Sequence, residues 1–314
     1  MFWISILLGV LGALAVLVLL TALICYFRVF YSPARRPLGE HEYDFPEGEE
    51  YAPHRADMIR WIDMTRTLPH EEMSIVTPDG LTLRGRYYEC NPGGIIEILF
   101  HGYRGNSERD MSGGVERCFA LGRNALIVDH RGAGQSDGHV TTFGIRERWD
   151  CLLWVERVIE RFGPDTKIIL TGISMGAATV MMAAGEKLPE NVICVLADCG
   201  YSSPREIIRK VIRDLKLPMM LYPFIRLGGI LFGRFDLEET SPIEAVQKCR
   251  VPLILIHGEA DGFVPCEMSR LVYEACVSPK KIVTVPGAGH GLSFPVDKEG
   301  YLKALADFQQ ECGF

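Results

Sequence analysis

The chain begins with a long uninterrupted run of apolar residues. From Phe2 to Phe27 there is no charged side chain, and residues 4–24 are almost wholly Leu, Val, Ile, Ala and Gly. About 25 helical residues at ~1.5 Å each extend ~37 Å, more than the ~30 Å hydrocarbon core of a bilayer. The pattern predicts a transmembrane anchor over residues 1–27. It is not typical of a removable signal, because no basic segment precedes the run and no small-residue cleavage site ends it.

After residue 70 the hydrophobic pattern alternates between short strands and longer helices. Residues 71–77 and 81–89 flank the turn at 78–80 and predict an antiparallel hairpin. The later strands are continuously apolar, as in a parallel sheet covered by helices on both faces. The sequence therefore predicts an α/β fold with a mostly parallel eight-stranded sheet flanked by helices. The remaining strands are predicted at residues 95–100, 124–129, 166–171, 192–197, 252–257 and 281–285, and the helices at 107–121, 145–162, 177–184, 266–276 and 298–312.

One connection is too long for a single crossover. Between the strands at 192–197 and 252–257 lies a segment whose part 215–235 is rich in Leu, Met, Phe, Ile and Tyr. We predict a helical lid at approximately residues 204–240, inserted over the carboxyl ends of the strands. An ordinary helix with a long surface loop is the alternative.

Residues 28–70 are predicted to form a juxtamembrane linker between the anchor and a domain at 71–314. Prolines break the regularity of this segment, and residues 40–50 are acidic. A short helix is predicted within the linker at residues 55–66.

Charge and cysteine usage narrow the class of protein. The net charge is −7 and no Lys/Arg-rich block occurs, which argues against a nucleic-acid partner. The ten cysteines show no CxxC or Cys/His ligand spacing, so we expect free thiols in a reducing compartment and no metal or organic cofactor. Arg28, Arg35 and Arg36 follow the apolar run, and the positive-inside rule then predicts a cytoplasmic domain on a single-pass membrane anchor.

Ser174 stands at a predicted strand-to-helix turn. Residues 172–176 read Gly-Ile-Ser-Met-Gly, between a buried strand and an apolar helix. A serine in this setting is typical of a nucleophile elbow, where the turn is too sharp for side chains at the flanking positions. We therefore predict that the hydroxyl of Ser174 is a nucleophile, pushed into the open by the turn.

A serine hydroxyl is a weak nucleophile that needs a base, and the base needs a group to orient it. His290 lies in a glycine-rich loop directly after the last predicted strand, and Asp261 follows the strand before it. We predict His290 as the base and Asp261 as the orienting acid.

Two other carboxylates are candidates for the acid. Glu259 lies two residues before Asp261 and is interpreted as a surface carboxylate. Asp198 follows the strand before the predicted lid and is interpreted as an anchor for residues 199–203 at a helix start.

Acyl transfer also requires donors for the negative charge that develops on the carbonyl oxygen. The backbone N–H groups of Tyr103, after the third strand, and Met175, after the nucleophile, are the predicted oxyanion hole. His101 is interpreted as an organiser of its loop. The glycine-rich residues 129–138 lack the spacing of a nucleotide site and are interpreted as a tight turn that braces the floor of the site.

These segments together resemble the α/β-hydrolase superfamily, in the branch of serine aminopeptidase-like and α/β-hydrolase domain-containing proteins. The resemblance covers approximately residues 71–314, and the amino-terminal anchor is similar to that of membrane-tethered members. It implies the α/β-hydrolase fold and a triad in the order Ser174, Asp261, His290. Because the branch includes esterases, lipases, thioesterases and peptidases, it leaves the substrate open. The resemblance rests on the motifs at residues 101–105, 129–136, 172–176, 198–201, 257–265 and 289–290.

The sequence therefore predicts a membrane-anchored serine hydrolase that cleaves a carboxylic ester with an apolar or lipid-like acyl part. A serine aminopeptidase or acyl-peptide hydrolase is an alternative, for which the sequence does not identify the carboxylate cluster that would bind an α-amino group. A third hypothesis, from a different class, is a non-catalytic membrane-tethered scaffold that binds a small ligand.

Overall fold

The computed structural model describes residues 2–33, 39 and 41–314. Helix α1, Phe2–Val29, is long and apolar enough to cross a membrane, and Ala22 is its one buried residue. Arg28 lies in its last turn. Arg35 and Arg36, on which the predicted orientation also depends, lie outside the described residues.

An eight-stranded sheet forms the centre of the fold, with the strand order β1-β2-β4-β3-β5-β6-β7-β8. The first two strands form the predicted antiparallel hairpin, β2 pairs antiparallel with β4, and all the later pairs are parallel. The predicted fold class is therefore confirmed, with strand ends that differ from the prediction by one or two residues. The strands are β1 Glu71–Val76, β2 Thr82–Tyr88, β3 Ile96–Phe100, β4 Asn124–Val128, β5 Ile168–Ile173, β6 Val192–Asp198, β7 Leu253–Gly258 and β8 Lys280–Val285.

Helices cover both faces of the sheet, and every residue of β3, β4 and β7 is buried. Strands covered on both sides are mostly apolar for this reason, whereas β1 at the edge alternates between buried and exposed positions. The helices after α1 are α2 Arg55–Thr67, α3 Ser107–Ala120, α4 Glu147–Phe162, α5 Met175–Ala184, α6 Pro204–Asp214, α7 Leu221–Gly228, α8 Pro242–Ala245, α9 Glu267–Ala275, α10 Ser293–Val296 and α11 Lys298–Cys312, with a 3₁₀ turn at Glu49–His54 and a π-helical turn at Gly229–Gly233.

Part of the predicted linker is packed structure. The 3₁₀ turn and α2 contain buried side chains, including Trp61 and Ile62, and Thr65 hydrogen-bonds Ser112 of α3 at 2.9 Å between their hydroxyl oxygens. The helix predicted at residues 55–66 is therefore present as α2, but it is fastened to the domain.

The long connection between β6 and β7 contains α6, α7, the π-helical turn and α8. Helix α7 packs against α1, where a Cβ on Gly228 would lie 2.5 Å from the carbonyl oxygen of Ala22. The segment predicted as a lid is thus helical and in contact with the anchor helix. That it covers the site stays a prediction.

Candidate active site

Ser174 lies at the turn between β5 and α5, with a backbone φ of 54°. A Cβ on Gly176 would lie 1.9 Å from the carbonyl oxygen of Phe100, so only glycine lets the turn approach β3 this closely. A serine in this sparsely populated region is strained, as expected for an elbow held by its surroundings. The sharp turn fixes the direction of the Ser174 side chain.

The three predicted side chains lie within hydrogen-bonding distance of one another. The hydroxyl of Ser174 donates to Nε2 of His290, with 2.9 Å between Oγ and Nε2. Nδ1 of His290 donates to Oδ2 of Asp261 at 2.7 Å. Residues far apart in the sequence thus form one chain of hydrogen bonds, because the loops after β5, β7 and β8 all leave the same edge of the sheet.

Asp261 is held in its ionised form by its surroundings. Its Oδ1 accepts hydrogen bonds from the backbone amides of Phe263, at 2.9 Å, and Val264, at 2.8 Å. Burial favours the protonated carboxyl, but hydrogen bonds from His257, His290 and the Val264 amide outweigh burial and hold the pKa of Asp261 well below its ordinary value. The carboxylate therefore stays negative beside the imidazole of His290.

Two positioning contacts were not predicted from the sequence. Nε2 of His257, at the end of β7, lies 3.2 Å from Oδ2 of Asp261. The phenol of Tyr51 donates to the carbonyl oxygen of His290 at 2.9 Å. The position of His257 in the strand before Asp261 is a signal in the sequence, whereas nothing near Tyr51 indicates its contact with a loop 239 residues away.

The other candidate acids make different contacts. Glu259 accepts a hydrogen bond from Thr284 at the surface, as interpreted. Asp198 accepts from Tyr301, at 3.0 Å, and from Ser293, at 3.2 Å, and burial raises its pKa. The interpretation of Asp198 as a helix-start anchor is wrong, because the hydroxyl of Ser203 caps α6.

The predicted oxyanion donors lie on either side of the serine. Met175 is the first residue of α5, and the first amide groups of a helix have no carbonyl partner within it. Gly102, immediately before Tyr103, lies against the serine, since a Cβ on it would be 3.5 Å from Cβ of Ser174. That the amides of Tyr103 and Met175 form the oxyanion hole stays a prediction.

Neighbouring loops brace this arrangement. Nε2 of His101 accepts from the backbone amide of His130 at 3.0 Å, which agrees with its interpretation as a loop organiser. Asp129 accepts from the amides of Ser107, at 2.7 Å, and Gln135, at 2.8 Å. The carboxylate therefore ties the glycine-rich turn to the start of α3, as expected of a structural brace.

A cavity of about 630 Å³ opens onto the site. Ser174 is 7% exposed, and its hydroxyl lies within this cavity. The hydroxyl is therefore less open to solvent than the elbow alone predicts. Of the residues that line the cavity, within the described part of the chain, none lies between 204 and 240. One wall comes from the segment before the domain, through Asp44, Phe45, Pro46, Glu47, Glu50, Tyr51, Met58 and Trp61.

One group of side chains has the spacing of a metal site. Possible ligand atoms of Cys199, Asp261 and His290 lie within 4.8 Å of one another. Burial raises the pKa of the Cys199 thiol well above its ordinary value. Nδ1 of His290 and Oδ2 of Asp261 are engaged in the hydrogen bond between them.

Comparison with known proteins agrees with the fold. The sequence model of the family described as alpha/beta hydrolase fold matches residues 98–227. The chain thus has the α/β-hydrolase fold, and over this segment its sequence is similar to the α/β-hydrolase superfamily. Its structure is similar to that of the Pyrococcus furiosus esterase Pf2001, with a TM-score of 0.65 and 22% identity over 90% of this chain and 98% of that one.

Two relatives extend the comparison. The chain is 29% identical to YqkD of Bacillus subtilis over 60% of this chain and 62% of the relative. It is 27% identical to YNL320W of Saccharomyces cerevisiae, whose name describes a membrane protein, over 62% of this chain and 63% of that one. The chain thus spans somewhat less than two thirds of each relative.

Proposed function

We propose that the protein is a membrane-anchored serine hydrolase that cleaves carboxylic esters through an acyl-enzyme. The observation that carries the proposal is the continuous hydrogen-bonded chain from Ser174 through His290 to Asp261. Such a chain makes the hydroxyl nucleophilic, because the base accepts its proton while the acid holds the imidazole in one orientation.

In the proposed reaction, Oγ of Ser174 attacks the acyl carbonyl carbon while its proton moves to Nε2 of His290. The carbonyl electron pair moves onto oxygen, which accepts hydrogen bonds from the amides of Tyr103 and Met175. When this intermediate collapses, the bond to the alkoxy group breaks and His290 gives that group the proton. Water then attacks the acyl-enzyme by the same steps and restores Ser174.

For the substrate we propose an ester with an apolar, lipid-like acyl part. The cavity includes the apolar side chains of Met58, Trp61 and Phe263. Helix α1 supports the proposal independently, since an enzyme held at a bilayer meets lipid-derived molecules directly. The fold-level likeness to an esterase agrees with this substrate class.

A second candidate is an aminopeptidase, because Glu47 and Glu50 line the same cavity as Ser174. Carboxylates on the wall of a cavity attract the positively charged amino group of a peptide. The argument for an ester is stronger, since it rests on the apolar side chains of the same cavity and, independently, on helix α1.

A fluorophosphonate probe tests the nucleophile. We expect the wild-type chain to be labelled and Ser174→Ala to be unlabelled, with a loss of ester turnover of about 10⁴-fold or more. Ser202→Ala is the matched control, because Ser202 is buried but does not line the cavity. An unlabelled wild-type protein would favour a non-catalytic scaffold.

Substrate preference is measured separately with p-nitrophenyl esters of increasing chain length and with aminoacyl anilides. We expect the esters to be preferred, with kcat/KM rising from acetyl to longer acyl groups. Preference for the anilides, together with its loss in Glu47→Gln or Glu50→Gln, would replace the ester by a peptide.

A further inference from the structure

The carboxyl end of α1 is joined to the domain by main-chain hydrogen bonds. The amide of Thr141 donates to the carbonyl oxygen of Phe30, and that of Ser32 donates to His139, each at 2.9 Å. The ring of Phe30 is 1% exposed and packs edge-on against Phe143. The last turn of the apolar helix therefore has a fixed position relative to the domain.

Residues 101–105, here named the oxyanion loop, contact this last turn through two side chains. The phenol of Tyr103 donates to the carbonyl oxygen of Val29 at 2.6 Å. Nη2 of Arg104 donates to the carbonyl oxygen of Arg28, also at 2.6 Å. The last carbonyls of a helix have no amide partner within it, so the oxyanion loop caps α1.

The same two contacts fix the oxyanion loop. Arg104 has a φ of 54°, a conformation that is unfavourable in a residue with a side chain and persists only where surrounding contacts hold it. The guanidinium of Arg104 lies near the negative end of the α1 dipole, which favours its placement there. At the other end of the loop, the amide of Gly102 donates to Oδ2 of Asp110 at 3.0 Å.

We propose that the carboxyl end of α1 positions the oxyanion loop, with the Tyr103 phenol and the Arg104 guanidinium as the positioning groups. This inference rests on the proposed function, in which the Tyr103 amide donates to the developing oxyanion. The anchor then contributes to the chemical step as well as to location. Loss of either side-chain contact releases the amide from its aligned position without removing it.

Separate measurement of kcat and KM distinguishes this positioning role from a purely structural one. An oxyanion donor acts on the transition state and contributes little to binding of the ground-state ester. Misalignment of one donor therefore lowers kcat and leaves KM nearly unchanged. Misalignment also lowers the affinity of the enzyme for a trifluoromethyl ketone inhibitor. The carbonyl carbon of this inhibitor forms a bond to Oγ of Ser174 while the serine proton moves to His290, and the ketone oxygen becomes an oxyanion.

The experiment uses the full chain in detergent micelles with a short, soluble ester. For Tyr103→Phe and for Arg104→Met we expect kcat to fall about tenfold and KM to change less than about twofold. The affinity for the trifluoromethyl ketone should fall by the same factor as kcat/KM. Arg104→Lys, which keeps a cationic donor, should recover part of the rate. Tyr88→Phe is the matched control, because the Tyr88 phenol donates to the Thr65 carbonyl oxygen, at 3.2 Å, away from the site.

Three results would overturn the proposal: unchanged kcat in both variants, a rise in KM at constant kcat, or equal losses in Tyr88→Phe. Constant affinity for the ketone while kcat falls would also refute it, since the loss would then lie outside the oxyanion hole. Ser174→Ala is measured first, and if it retains wild-type hydrolysis, the proposed function itself fails. Failure of the positioning role and failure of the enzyme proposal are therefore distinguishable.

Discussion

At the scale of single residues, a pair of buried imidazoles supports the loop beside the nucleophile. Nε2 of His130 lies 3.1 Å from the carbonyl oxygen of His101, and the His130 amide donates to Nε2 of His101. Burial, reinforced by the neighbouring His101, lowers the pKa of His130 from 6.5 to about 3. The folded protein therefore holds His130 neutral at pH values where the unfolded chain protonates it.

This difference predicts how stability depends on pH. Between about pH 6.5 and pH 3 the unfolded chain binds a proton at His130 that the folded chain does not bind, so stability falls as the pH falls through this window. The slope from this one group is up to about 1.4 kcal/mol per pH unit. Denaturation by urea at pH 7, 6, 5 and 4 measures it.

The matched variant is His130→Gln, whose side chain keeps a donor but does not titrate. We expect its free energy of unfolding to fall less steeply below pH 6.5 than that of the wild-type chain. Carboxylates with lowered pKa values, such as Asp261, act equally in both proteins, so the difference between the two curves isolates His130. Parallel curves would contradict the prediction.

At the scale of elements, hydrophobic periodicity predicts that a helix exists, but it does not predict which other element the helix packs against. The pattern at residues 55–66 predicts α2, but no local signal says that Trp61 packs against α3. That contact depends on Gly113, where a Cβ would lie 2.8 Å from the Trp61 ring. A glycine inside a helix is visible in the sequence, yet which side chain fills its space is decided by tertiary structure.

The candidate active site likewise has a part that the sequence predicts and a part that it does not. Ser174, Asp261 and His290 were predicted because each directly follows a strand, and parallel strands bring such positions to one edge. The part of the cavity wall from Asp44 to Tyr51 was not predicted, because irregular chain gives no periodic signal, and the predicted helix α2 gave no sign that Met58 and Trp61 face the cavity. Tyr51, whose phenol donates to the main-chain carbonyl oxygen of His290, belongs to that wall.

The contact between α1 and α7 can be tested by adding a single methyl group at Gly228. A Cβ on Gly228 would lie 2.5 Å from the Ala22 carbonyl oxygen, and backbone cannot rotate away as a side chain can. We expect Gly228→Ala to lower the free energy of unfolding by about 1–3 kcal/mol, through separation of the two helices. Urea denaturation of the full chain in detergent measures the change.

Gly12→Ala is the control within α1, since a Cβ there meets nothing within 4 Å. We expect it to leave stability unchanged or slightly raised, as replacing a helical glycine with alanine does. Equal losses in the two variants would show that the α1–α7 contact is not the cause.

At the scale of the whole molecule, α1 divides into two parts. The large apolar side chains from Phe2 to Leu20 are exposed, whereas from Ala22 onward the helix packs against α7 and the oxyanion loop. Roughly 20 residues at ~1.5 Å each give ~30 Å, the thickness of the hydrocarbon core. The unpacked part is therefore long enough to cross a bilayer.

The side of the membrane on which the domain lies is a prediction that one cysteine tests. Cys90 is exposed, and the ten cysteines, all within the described residues, are free thiols. Together with Arg28 after the apolar run, this predicts a cytoplasmic domain. A membrane-impermeant maleimide should therefore label Cys90 only after the cells are lysed, and Cys90→Ser identifies the part of the signal that belongs to this thiol. Labelling of intact cells that disappears in Cys90→Ser would place the domain outside, because the reagent reaches only thiols on the external face.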